Sequence, residues 1–202
     1  MSPRSSVLQA RETRAALLAR GMRIASVEGL EGLTIGRLAS DLGMSKSGVL
    51  GRFGSKEALQ LAVIDEAAAV FSREVVSRAR DATPGMPHLA ALCEAWISYL
   101  ERDVFPGGCF FMATAPEFDD REGPVRDVLA ALSSVWQNDL RRQALLAVDA
   151  GDLPGGTDVD QLVFELGGVM FAANHALRMT RDRRAGARAR RAVNRLLTRA
   201  DL

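Results

Sequence analysis

"LASDLGMSKSGVLGRFGSKEAL", residues Leu38–Leu59, holds both lysines of a chain that otherwise uses arginine: Lys46 and Lys56 against twenty-four Arg. It also holds Gly43, Gly48, Gly51 and Gly54, although glycine in a helix costs about 1 kcal/mol relative to alanine. Thr34 is a candidate N-cap for a short helix carrying Ile35, Leu38 and Leu42. Gly43 ends that helix, and Ser45 caps a second one. Ala39 stands where two such helices come closest, and Gly43 suits a left-handed turn between them. Ile35, Leu38, Leu42, Met44 and Val49 then face inward, while Ser45, Lys46, Ser47 and Arg52 lie outward at or just past the start of the second helix. This is the pattern of a helix-turn-helix, whose second helix presents its start to bases and phosphates in the major groove. Gly48 and Gly51 fit close approach to a DNA backbone. Lys56 falls in the first turn of the next helix, where the dipole disfavours a cation unless an anion binds there too. A solvated Lys56 and a helical hairpin without DNA are the plainer alternatives.

Outward from this stretch, helical spacing dominates. Leu17, Leu18, Ile24 and Val27 set a stripe in a helix of roughly 9–28 that stops near Gly29. Ser55 caps a long helix through Leu59, Val63, Ala67, Val70 and Val75, which "DATPGMP" breaks. Further helices are expected at roughly 87–104, 123–150, 157–180 and 183–199, with "FPGGCFF" opening a short one that ends near Phe118. No alternating strand pattern competes. The fold class is all-α, with about nine helices, an N-terminal three-helix domain (1–56) and a helical C-terminal domain (57–202).

The net charge of +1 hides an asymmetry. Residues 1–56 carry nine Arg/Lys and four Asp/Glu, a net of +5; the rest carries seventeen and twenty-one, a net of −4. A basic N-terminal piece on an acidic body points mildly to a polyanionic partner. No apolar run is long enough for a membrane span, no secretory signal is evident, and Cys93 and Cys109 suggest no disulfide framework, so a cytoplasmic protein is expected. Metal-ligand spacing, a P-loop, GxSxG and a dinucleotide fingerprint are all missing. With only His88 and His175 for acid–base work, neither an enzyme nor a bound cofactor or metal is expected.

The run "GLTIGRLASDLGMSKSGVLGRFGSKEALQLAVID" resembles the DNA-binding domain of the tetracycline-repressor (TetR) family of transcriptional regulators. Thr34, Ala39 with Gly43, Ser45-Lys46, Phe53 and Ser55-Lys56-Glu57 stand where that family has such residues, over roughly residues 11–66. The resemblance implies a homodimer on a palindromic double-stranded operator. It also implies a C-terminal domain that pairs subunits and binds a small, largely apolar effector, most often one that releases a repressor. Thr34 and Lys56 become phosphate contacts and Arg37 joins them; Ser45, Lys46, Ser47, Gly48 and Arg52 complete the DNA-binding set. Two departures stand out: Leu50 replaces a frequent aromatic, and Gly51 replaces bulkier residues. The alternative is a helical DNA-associated structural protein without an effector.

In the C-terminal part, Trp96, Tyr99, Phe110, Phe111, Phe118, Trp136 and Phe171 are candidate pocket residues, with Asn174 and His175 as polar contacts. A packed helical core is the plainer reading of the aromatics. Gly107 and Gly108 suggest a sharp turn, and Cys109 reads as a buried structural thiol. The helix near 157–180 is apolar nearly all round and should be covered on both sides. Gly167, Gly168, Ala172, Ala173 and Ala176 are its candidate dimer contacts. From Arg181 to Arg199 the chain carries eight Arg and one Asp, read as a solvated face or a contact to an acidic surface.

Overall fold

Capping chemistry sets the helix boundaries. Thr34 Oγ1 accepts from the Arg37 N–H (3.1 Å), Ser45 Oγ from Gly48 N–H (3.0 Å), Ser55 Oγ from Ala58 N–H (3.0 Å) and Asp158 from Gln161 N–H (2.9 Å). The computed structural model describes residues 3–198, which contain nine α-helices and no strand. The helices are α1 (Pro3–Gly32), α2 (Ile35–Asp41), α3 (Lys46–Phe53), α4 (Lys56–Glu74), α5 (Met86–Glu101), α6 (Phe110–Thr114), α7 (Pro124–Asp149), α8 (Val159–Arg178) and α9 (Ala185–Thr198). Single 3₁₀ turns follow α4 (Val76–Arg78) and α6 (Ala115–Glu117). The stop expected near Gly29 is a kink: Gly29 takes φ 76°, and one further turn runs to Gly32.

The chain groups into two compact units, each built from two stretches. One runs to Ala68 and includes Phe105–Leu129; the other comprises Ala69–Val104 and the chain from Ala130 on. The division at 56/57 is a functional expectation, and the packing units differ from it because residues 105–129 pack with the N-terminal helices. In the first unit, Leu17, Leu18, Ile24, Ala25 and Leu30 of α1 share a core with Leu38, Val49, Phe53, Leu59 and Val63. Val27 is 61% exposed, contrary to the expected stripe. At 100° per residue it stands opposite Leu18 and nearly opposite Ala25, both buried. The neighbouring Ser26 is buried instead, because Gly107 lies over it and donates its N–H to Ser26 Oγ at 3.3 Å. A Cβ on Gly107 would run into the Ser26 carbonyl, so only glycine fits this approach.

In the second unit, α5 packs on α8 and α9, and α8 packs on α9. Leu89, Leu92, Ile97 and Leu100 meet Leu166, Met170, Ala189 and Val193 in the core. The Arg190 guanidinium grips Glu94 (2.7 Å) and Glu101 (2.8 Å), and Gly186 leaves room for the Glu101 side chain. That grip holds the Glu101 carboxyl below its ordinary range. Cys93 is buried, and loss of solvation pushes its thiol up to about 12, so it stays protonated. Cys109 is buried as expected.

Candidate functional site

Helices α2 and α3 meet through the backbone of Ala39, whose carbonyl accepts from Met44 N–H at 2.9 Å, with Gly43 at φ 62° in the turn between them. Buried Val49 and Phe53 fix the inward face of α3. Ser45, Lys46, Ser47, Leu50, Gly51 and Arg52 are exposed on the rest of it, and Gly48 is half-buried. The outward set expected from the sequence is therefore gathered on one short helix. Leu38 and Ala39 are buried as expected, whereas Ile35, Leu42 and Met44 are only half-buried.

Hydrogen bonds pre-arrange several of these side chains. Ser45 Oγ lies 3.2 Å from Ser47 Oγ, and Arg52 folds along its own helix to donate to the Gly48 carbonyl at 2.8 Å. A side chain at Gly48 would crowd Ser45 Oγ and approach Arg52 Nη1. Lys46 lies across the start of α2: a Cβ on Gly36 would sit 3.1 Å from its Cε. Lys56 donates to the Glu31 carbonyl (3.1 Å) and the Glu31 carboxylate (3.0 Å), and Arg121 reaches the same carboxylate at 3.2 Å. The Lys56 hydrogen bond, with the positive charges of Lys56 and Arg121, holds the Glu31 carboxyl below its ordinary value.

Arg37 is paired within the fold. Its guanidinium donates to Glu28 (3.1 Å) and Asp41 (3.2 Å), and Arg20 also donates to Asp41 at 2.8 Å. Those bonds tie Arg37 of α2 to Glu28 of α1 and to Asp41 of its own helix. Three residues escaped the sequence reading. Arg14 of α1 stacks its guanidinium 4.8 Å from the Phe53 ring centre, beside the end of α3. Glu117 accepts from the N–H groups of Leu30 and Glu31, both at 2.9 Å, just past the Gly29 kink. Leu50 passed only as a departure from a family pattern. Spacing signals neither Arg14 nor Glu117, whose partners lie far along the chain.

The aromatic candidates fall into separate groups. In the second unit, Trp96, Tyr99 and Trp136 gather with Phe71 of α4, which was not among the expected pocket residues. Phe71 stands edge-to-face to Trp96 (6.0 Å), Tyr99 (5.6 Å) and Trp136 (5.1 Å), and the two indoles are 5.1 Å apart. The indole N–H groups of Trp96 and Trp136 are buried and have no acceptor among the described residues. In the first unit, Phe110 packs on Phe105 (5.8 Å) and Phe111 (5.4 Å), and the Arg121 guanidinium lies over the Phe118 ring. Phe171 and His175 do not join either group. They are exposed on α8, and Asn174 beside them is half-buried.

The exposed line of α8 continues through Phe164, Gly168, Phe171, His175 and Met179, at helical steps of three and four, so its own chain covers this helix on one side. Among the candidate dimer contacts, Gly168 and Ala172 are exposed, Gly167 and Ala176 half-buried, and Ala173 buried. Among the described residues no cluster of three or more His, Cys, Asp or Glu could hold a metal ion, and no helix is long and apolar enough to cross a membrane.

Residues 17–63 match the bacterial regulatory proteins of the tetR family, and residues 85–193 match the tetracyclin repressor-like C-terminal domain. Among solved structures, a TetR transcriptional regulator from Chloroflexus aurantiacus J-10-FL is similar over 94% of both chains, with 25% identity and a TM-score of 0.83. AibR, solved with isovaleryl coenzyme A and operator DNA, has 19% identity and a TM-score of 0.71 over 91% of this chain and 96% of its own. FadR from Bacillus subtilis, in complex with stearoyl-CoA, has 13% identity and a TM-score of 0.72 over 94% of this chain and 100% of its own. No curated protein matches the sequence significantly.

Proposed function

The chain belongs to the TetR family of DNA-binding transcriptional regulators, and we propose that it is a homodimeric repressor released from a palindromic operator by a small molecule. The carrying observation is the face of α3: a capped helix, anchored by Val49 and Phe53, that exposes Ser45, Lys46, Ser47 and Arg52 together. Residues 1–56 bind DNA in this reading, and 57–202 bind the effector and the second subunit. Lys46, Ser47 and Arg52 read or approach bases, Thr34 and Lys56 hold phosphates, and Arg37 positions α2.

The effector reading draws support from the Trp96–Trp136 pair. Buried polar groups in proteins almost always have partners, so two acceptor-less indole N–H groups in one aromatic cluster suit an apolar molecule bearing a hydrogen-bond acceptor. Release follows if that molecule binds the DNA-incompetent state more tightly than the competent one. AibR and FadR were solved with acyl-coenzyme A ligands, which makes acyl thioesters a natural first class to screen. For dimerisation, Gly168 and Ala172 let α8 approach a second copy, with Phe164 and Phe171 flanking them.

Selection from a pool of random duplexes near physiological salt tests the central claim. An enriched inverted repeat supports a dimeric operator reader. Retention that is salt-sensitive and blind to sequence would instead leave only a generic phosphate grip. The enriched duplex then serves as probe: an effector that raises operator affinity would make the protein a co-repressor and reverse the proposed sign.

A further inference from the structure

An isolated exposed leucine usually carries no message. Leu50 is 45% exposed, yet its surroundings give it one. With Val49 and Phe53 inward, the 100° step of an α-helix puts Ser47, Gly51 and Gly54 on the outermost line of α3. Leu50 and Arg52 flank that line on opposite sides. Gly54 needs its left-handed backbone, at φ 80°. Gly51 has no such need, and a Cβ there would meet nothing within 4 Å, so no contact inside the chain explains the missing side chain. The outermost line is thus low enough for the helix to sit deep in a groove, with Leu50 on one wall and Arg52 on the other.

The polar groups around Leu50 work through hydrogen bonds. Ser45 Oγ caps α3, Ser47 lies against Ser45, and Arg52 donates to the Gly48 carbonyl. Leu50 is the one large apolar side chain exposed on α2 or α3 among the described residues. Base edges in the major groove offer hydrogen-bonding groups throughout and a single apolar feature, the 5-methyl of thymine. Resting on the assignment of α3 as the DNA-reading helix, we infer that Leu50 is a specificity-determining residue that recognises one thymine methyl in each operator half-site.

The test isolates that methyl. Each thymine of the selected operator is replaced singly by deoxyuridine, and dissociation constants are measured at fixed salt for the full-length protein and for Leu50→Ala. Burying one methyl group corresponds to about a fourfold change in affinity. One thymine per half-site is expected to show that loss with the unaltered protein, and about fifteenfold with both half-sites substituted. Leu50→Ala should bind thymine and uracil operators alike. Cytosine at that position should regain about fourfold when replaced by 5-methylcytosine. Because Leu50 is exposed, Leu50→Ala should keep the parental circular dichroism and melting temperature, and a large change in either would contradict the outward placement. Operator binding that is indifferent to every uracil overturns the inference and leaves the regulator reading standing. So does uracil sensitivity that persists unchanged in Leu50→Ala, because another side chain then reads the methyl. Failure to enrich any inverted repeat removes both.

Discussion

At Lys56, two claims on one ammonium compete. It donates to Glu31 twice, so a phosphate arriving there must share it with a carboxylate. Lys56→Ala should weaken operator and unrelated DNA by the same factor, and should flatten the salt dependence by about 0.9 for each phosphate released. Fluorescence anisotropy titrations over a range of salt concentrations read both quantities, and an unchanged slope would assign Lys56 to the fold alone. Arg52 is expected to behave differently. Once it leaves the Gly48 carbonyl for a guanine edge, it supplies about 1–3 kcal/mol of discrimination at one position. Arg52→Ala should therefore relax selectivity at one base pair per half-site in competition assays, whereas equal losses on all sequences would place it among the phosphate contacts.

At the scale of the element, α3 sets helix propensity against close approach. Gly51→Ala has open space around it and should stabilise the helix by up to about 1 kcal/mol, raising the melting temperature by roughly 2–4 °C. Operator affinity should fall in the same variant, and a gain in both would show that Gly51 is not needed for docking. The kink in α1 makes a contrasting case. Gly29 interrupts the helical hydrogen bonds, and the Glu117 carboxylate accepts the two N–H groups that follow. Glu117→Ala strands both donors, so a loss of about 1.5–3 kcal/mol is expected in urea melts. Caps such as Thr34, Ser45 and Ser55 were legible in the sequence because a cap and its partner lie three residues apart. Glu117 and Gly107 were not, because their partners on α1 lie more than eighty residues away. "FPGGCFF" looked unusual in the sequence, but nothing local said that it would lie along α1. The exposure of Phe171 was hidden for a related reason: an apolar residue looks the same whether its own chain or a second copy covers it.

At the scale of the whole molecule, four carboxyls among the described residues are held below their ordinary values by basic partners: Glu31 by Lys56, Asp41 by Arg20, Glu74 by Arg102 and Glu101 by Arg190. The folded chain binds fewer protons than the unfolded one just below those ordinary values, so stability is fully present above them and falls as pH drops through the depressed range. Urea midpoints should be level from about pH 6 down to about 5 and decline below 4.5, the ordinary glutamate value. Arg190→Gln should remove part of that decline by releasing Glu101. Assembly calls for a different measurement. Phe164 and Phe171 are 76% and 56% exposed on one side of α8, with Gly168 between them where another backbone can come close. Covering a Phe side chain contributes about 1.5–3 kcal/mol, and a two-fold axis counts each residue twice. The Phe164→Glu, Phe171→Glu double variant should therefore raise the dimer dissociation constant at least about a thousandfold in sedimentation experiments. Its helix content should stay unchanged, because neither side chain is buried within its own chain. Operator affinity should fall with it, since each subunit then has to hold its half-site alone. A variant that sediments as a dimer would move the interface off this face of α8, and a monomer that binds the operator as tightly as the parent would remove the dimer from the recognition mechanism.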